Sequence, residues 1–156
     1  MLKYIKGDAT KPEGSGPRII IHVCNDIGAW GKGFVLALSK RWSAPERRYR
    51  DWYQYRETNN FGLGKVQLVL VESNVWVANM VCQHGIRGEG GTPPIRYDSI
   101  EIALKTIYEH AKLLSASVHL PRIGCGLAGG KWEKIEELLQ KCLLPSKISV
   151  TVYDLD

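Results

Sequence analysis

The sequence predicts an α/β fold, a three-layer α/β/α sandwich built on a mixed sheet of about six strands. Three observations carry this. Apolar β-branched runs alternate with amphipathic stretches along all 156 residues, the interleaving expected of helices packed on a sheet. Residues 18–38 (RIIIHVCNDIGAWGKGFVLAL) read as a strand buried on both faces, a glycine-rich loop and a helix in direct succession. Near the other end, RIGCGLAGG at residues 122–130 again leads from a strand into a helix.

Taken in order, residues 2–6 (LKYIK) alternate as a strand with one solvated side, and GDAT ends it. KPEGSGP is a surface connection. After the central strand and loop, Phe34, Leu36, Ala37, Leu38 and Trp42 are expected on a helix against the sheet. Pro45 suits the first turn of a second helix, PERRYRDWYQYR. Two β-branched runs, residues 66–71 and 75–81, form a hairpin, and the second empties into a long glycine-rich loop, residues 83–94, expected to be functional or mobile. The pattern Asp98-Ser99-Ile100-Glu101 predicts a capping box, with the helix running to about Leu114. A short strand at 117–120 stops at Pro121. A helix over 131–143 presents Ile135, Leu138, Leu139 and Cys142 inward, and the strand 147–153 closes the sheet.

The length fits one domain, residues 1–156, with a core large enough to dispense with staples. The net charge of +5 suits a polyanionic partner, but no basic run is longer than a pair, so a phosphate-bearing small ligand accounts for it as well as nucleic acid does. Four cysteines (Cys24, Cys82, Cys125, Cys142) lie far apart without a C-x-x-C pair. That argues against zinc and redox motifs and for reduced thiols in a cytoplasmic protein. No secretory leader or bilayer-spanning run is evident, so no membrane partner is expected.

The two glycine loops are the chemical signal. Glycine lets main-chain N–H groups approach an anion, and the following helix adds the positive end of its dipole. The first loop matches neither G-x-G-x-x-G nor G-x-x-x-x-G-K-[ST], and such turns also occur for tight geometry alone. If their strands are neighbours, the loops flank one crevice. His22 can act as a general base or sit satisfied within the sheet. Asp26 can position a water or cap its loop. His84, in the long loop, can reach a terminal group or be an ordinary surface residue. Cys125, between glycines near a helix start, is a nucleophile or a small residue chosen for close packing. Asp8 accepts a ligand amine or holds a turn. The arginines and aromatics of residues 45–56 suit single-stranded nucleic acid or, with more weight, an inward-packing amphipathic helix.

Together GDAT, HVCND followed by GAWGKGF, PRIGCGLAGGKW and the closing VTVYDL resemble the macrodomain family, which binds ADP-ribose, over essentially the whole chain. The resemblance implies a mixed sheet between helices and a cleft at the strand ends. It implies that Asp8, with Ala9 beside it, meets the adenine amino group and that Asn25 contacts the distal ribose. Trp30, Gly31, Lys32, Gly33 and Phe34 fall on a first phosphate loop, and Gly124, Cys125, Gly126, Leu127 and Ala128 on a second. Tyr153 falls where adenine is often covered. The details are similar to the branch with terminal ADP-ribose hydrolases and the yeast ADP-ribose-1''-phosphate phosphatase. Two departures matter. Ala128 stands where those hydrolases carry an aspartate, and no lysine lies between Lys65 and Lys105, which removes their covalent lysine route. The larger mono-ADP-ribosyl hydrolase class has an aspartate after its glycines, where this chain has Phe34-Val35-Leu36. Water-mediated hydrolysis of an ADP-ribose derivative (ADP-ribose-1''-phosphate, O-acetyl-ADP-ribose or ester-linked ADP-ribose), with His22, Asp26 and His84 as catalytic candidates, stands beside a non-catalytic ADP-ribose reader. ADP-ribosylated proteins are further partners the resemblance allows. No cofactor and no metal ligand set is evident.

Overall fold

The computed structural model describes residues 1–155. Six strands form one sheet in the order β1-β6-β5-β2-β4-β3: β1 (Leu2–Lys6), β2 (Arg18–Asn25), β3 (Val66–Glu72), β4 (Val75–Gln83), β5 (Ser117–Leu120) and β6 (Val150–Asp154). All pairings are parallel except the β3–β4 hairpin. The sheet is therefore mixed, as expected.

The central strand β2 has parallel neighbours on both sides and helices over both faces, which is why Ile19, Ile20 and Ile21 form an unbroken apolar run rather than an alternating one. Ile19 and Ile21 join the core under α3 (Tyr97–Leu114) and α4 (Trp132–Cys142); Ile20 faces the other way into the core under α1 (Phe34–Arg41) and α2 (Ala44–Gln54). Two separate cores on opposite faces give the three layers.

Some local expectations are corrected. The capping box does not form. The helix begins one residue before Asp98, capped by the extended backbone of Arg96, whose carbonyl accepts the first helical bond from Ile100 (3.1 Å). Asp98 instead accepts from Ser99 N–H (2.8 Å), and Glu101 pairs with Lys105 and Lys141. In α1 the buried residues are Val35 and Leu38, three apart on one face, while Leu36 points out. In α2 the inward-packing reading holds: Tyr49 and Trp52 are buried, which takes their faces out of reach of a stacking base. The cysteines are free thiols, with Cys24 and Cys82 buried on opposite faces of the sheet. Among the described residues no helix is long and apolar enough to cross a membrane.

Candidate functional site

Strands β2 and β5 lie side by side and parallel, so the loops after both emerge at the same edge of the sheet. From β2 the chain goes on to the β3–β4 side, and from β5 to the β6 side. This is where an open α/β sheet splays its connections and leaves a crevice. A cavity of about 250 Å³ occupies it. Lys32, Gly33 and Phe34 of the first glycine loop line one wall, and Gly124, Gly126, Leu127 and Ala128 of the second line the other. His22 and Val23 of β2, Gln83 of β4 and Pro121 with Arg122 complete it.

The glycines are there for backbone reasons at two positions. Gly33 sits at φ +82° as the residue before α1, so the turn that aims the helix N-terminus at the cavity needs a conformation L side chains rarely adopt. Gly124 sits at φ +70°, and a β-carbon there would stand 2.7 Å from Ile95. Gly126 differs: a β-carbon would meet nothing within 4 Å, although the residue lines the cavity. Protein packing does not explain its smallness.

The first loop is built from Asn25. Its side-chain oxygen accepts from the N–H groups of Ile27 and Ala29 (3.0 Å each) and from the Tyr49 hydroxyl (2.8 Å), and its amide nitrogen donates to Ala29 O (2.8 Å). Trp30 is buried, its indole N–H donating to Ser39 Oγ (2.8 Å). Asn25, Trp30 and Gly31 do not line the cavity; the first two shape the loop that does.

His22 is buried at the cavity floor. Asn79 faces it across the β2–β4 register, at 2.5 Å from Nε2. The Asn79 amide donates to Pro45 O and Gln67 Oε1, so its oxygen accepts and the histidine carries its proton on Nε2. Nδ1 is thus a bare acceptor, and it has no partner among the described residues. Burial pulls the His22 pKa down to about 4, with the Asn79 contact opposing that shift. The ring is neutral at pH 7.

Asp26 ties down the long loop: one oxygen accepts from His84 Nδ1 (2.7 Å), the other from Gly85 N–H (2.8 Å). The loop is pinned at its far end as well, by His84 N–H to Pro94 O (2.8 Å) and by Ile95 N–H to Ala128 O (3.1 Å). It therefore bridges both glycine loops. His84 is about half exposed and does not line the cavity. Burial raises the Cys125 thiol pKa, Arg122 opposing and Glu133 adding to the shift, which disfavours a thiolate.

Asp8, Ala9 and Tyr153 lie at the ends of β1 and β6, outside the cavity lining. Asp8 Oδ1 accepts from Thr10 N–H (2.8 Å) and Oγ1 (2.7 Å). Burial works against the charged carboxylate, but the Thr10 bonds with Lys11 and Arg41 nearby outweigh it and hold the Asp8 pKa below its ordinary value. Oδ2 has no partner among the described residues. Ala9 and Tyr153 are buried, and the tyrosine hydroxyl accepts from Glu13 N–H (2.9 Å) and pairs with His119 Nδ1 (2.7 Å).

Sequence reasoning missed Gln83, Pro121, Arg122, Asn79 and Tyr49. The visible signal for Asn79 was a polar residue inside an apolar strand run. For Tyr49 there was none, because an aromatic on an amphipathic helix reads as packing. No group of three potential ligands that could hold a metal occurs among the described residues.

No family model matches the chain. Among solved structures, a macrodomain protein from Streptomyces coelicolor is 52% identical, with 99% of each chain covered and a TM-score of 0.89. Among curated proteins, a chromodomain-helicase-DNA-binding protein 1-like from Danio rerio is 32% identical over 97% of this chain, which spans about 15% of that protein's length. An ADP-ribose 1''-phosphate phosphatase from Meyerozyma guilliermondii is 26% identical, with 97% of each covered.

Proposed function

The chain belongs to the macrodomain family, and from that premise we propose that it binds ADP-ribose and hydrolyses an ADP-ribose derivative at the distal ribose. One observation carries this reading: two glycine loops from adjacent parallel strands face each other across a single cavity, with the α1 N-terminus opening onto it. A diphosphate held by main-chain N–H groups and a helix end needs this arrangement more than it needs basic side chains. The free Oδ2 of Asp8 suits an adenine amino group, and the unpartnered Nδ1 of His22 suits a ribose hydroxyl or an ordered water. The full-length likeness to a phosphatase acting on ADP-ribose 1''-phosphate supports the substrate class.

Within this reading the three catalytic candidates take different roles. A His22 with its pKa near 4 is a weak base, fit to orient rather than to take a proton. Asp26 fixes His84 with Nδ1–H donated, leaving Nε2 to accept a proton from the attacking water. Water then adds to the phosphorus or acyl carbon, loop N–H groups meet the developing negative charge, and the released ribose oxygen recovers the proton.

Calorimetric titration with ADP-ribose tests binding, and Gly126→Val is the decisive variant. A β-carbon at this position meets no protein atom within 4 Å, so the melting temperature is expected to hold while affinity falls about tenfold or more. Unchanged affinity would place the diphosphate elsewhere. Turnover of ADP-ribose-1''-phosphate, O-acetyl-ADP-ribose and a glutamate-linked ADP-ribosyl protein tests the chemistry. For any substrate that is turned over, His84→Ala is expected to slow release about 100-fold with binding retained. A second reading, a reader that binds without turnover, is favoured by one observation: His84 stands outside the cavity lining. Clear binding with no turnover of all three substrates selects it.

A further inference from the structure

Helix α2 bonds to the turn that opens the first glycine loop directly at two points, and reaches it a third time through Ser39 of α1. Tyr49, fully buried, donates its hydroxyl proton to Asn25, shared between the backbone carbonyl (2.7 Å) and the side-chain oxygen (2.8 Å). Arg50 donates to Gly28 O (3.2 Å) and to Glu46 (2.9 Å). Glu46 in turn accepts from Ser39 Oγ (3.1 Å), which accepts from the Trp30 indole (2.8 Å). A closed chain of hydrogen bonds thus runs from Gly28 out through Arg50, Glu46 and Ser39 and back to Trp30. The segment it brackets, residues 28–30, lies immediately before the cavity wall at 32–34. On the inner side Tyr49 fixes the rotamer of Asn25, whose oxygen is what the N–H groups of Ile27 and Ala29 bond to.

We infer that Tyr49 is a positioning residue for the ligand site, holding Asn25 and through it the first glycine loop in the form that receives the diphosphate, with Glu46 bracing the same loop from outside. The inference rests on the ADP-ribose reading for its ligand, but the loop effect is measurable without one. A ring alone would satisfy the core. The hydroxyl sits where it needs a buried partner, and the partner it has is the turn that precedes the cavity wall. Preorganisation of this kind is paid before the ligand arrives, so losing it weakens binding without removing any contact to the ligand.

The test uses Tyr49→Phe, which keeps the ring, and Glu46→Ala, which alters a side chain about one-third exposed and is expected to fold normally. Two quantities are measured: amide hydrogen exchange at Ile27 and Ala29, and calorimetric affinity for ADP-ribose. Tyr49→Phe is expected to speed exchange at those two amides, leave Ile20 and Val77 in the sheet unchanged, and weaken ADP-ribose about tenfold. Glu46→Ala is expected to give a smaller loss, about threefold. Unchanged exchange in Tyr49→Phe overturns the inference whatever the affinity does, and faster exchange with unchanged affinity overturns it as well, since Tyr49 would then be structural only. Should the wild-type chain bind no ADP-ribose, the function proposed above fails, and the exchange comparison then decides only whether Tyr49 holds the Asn25 turn.

Discussion

Gly124 shows how narrow the tolerance at the site is. Its φ of +70° and the Ile95 side chain 2.7 Å from a would-be β-carbon both oppose any larger residue. Gly124→Ala is expected to cost about 2–4 kcal/mol, the sum of left-handed strain and overpacking, read as a lowered denaturant midpoint. A loss under about 0.5 kcal/mol would mean the loop relaxes freely. At this scale the sequence was informative where sterics are local: a glycine cluster after a strand announces a backbone approach. Apart from the resemblance, which points Asn25 at the distal ribose, it did not show that Asn25 accepts bonds from residues 27, 29 and 49 at once. No spacing rule encodes that convergence. It left His22 open between a general base and a histidine satisfied within the sheet, since which of these holds depends on which strand pairs with it. The pairing brings Asn79 to one nitrogen and leaves the other bare.

Among the elements, α3 is the longest helix and ends on Ser115 in the left-handed region, φ +53°. Ser115 is exposed, and Ala116 N–H still bonds back to Ala111 O (2.9 Å). Ser115→Gly is expected to stabilise the fold by about 0.5–1 kcal/mol, because glycine carries no penalty at this cap; thermal unfolding checks it, and a lowered midpoint would contradict it. Strand positions were readable because alternation and β-branching act within the segment: residues 2–6 and 117–120 match β1 and β5 to the residue. Helix starts were less so. The Asp98–Glu101 pattern has the right chemistry, but the backbone at Arg96, tied to Cys82 O (2.9 Å), already sets where α3 begins. Long-range anchoring overrode local capping.

For the whole molecule, two buried histidines make stability depend on pH above the carboxylate range. His22 and His119 are both held neutral, with pKa values near 4 caused first by burial, against an ordinary 6.5. Because the folded values are depressed, the unfolded chain binds more protons between pH 4 and 6.5, so stability falls as pH drops through that window. Each contributes up to ~3 kcal/mol of loss across it, an order-of-magnitude figure. Chemical denaturation between pH 5 and 6.5, above the range where carboxylates add their own effect, is expected to show a falling midpoint with acid. A flat profile there would mean that at least one ring is solvated. The fold class was legible because each layer leaves its own periodicity. The strand order was not, since nothing within β2 names β5 as its neighbour, and it is that adjacency which brings the two loops together.

The pairing of β2 with β5 is short: only Arg18, Ile19 and Ile20 match Ser117, Val118 and His119, while β2 runs on to Asn25 beside β4 alone. The sheet is a seam left unsewn at one end, and the cavity is the opening. Pro121, lacking an N–H, is the stitch that cannot be made. A chain that extended β5 by two residues would close the gap from within, gaining rungs and losing the place where a guest lodges.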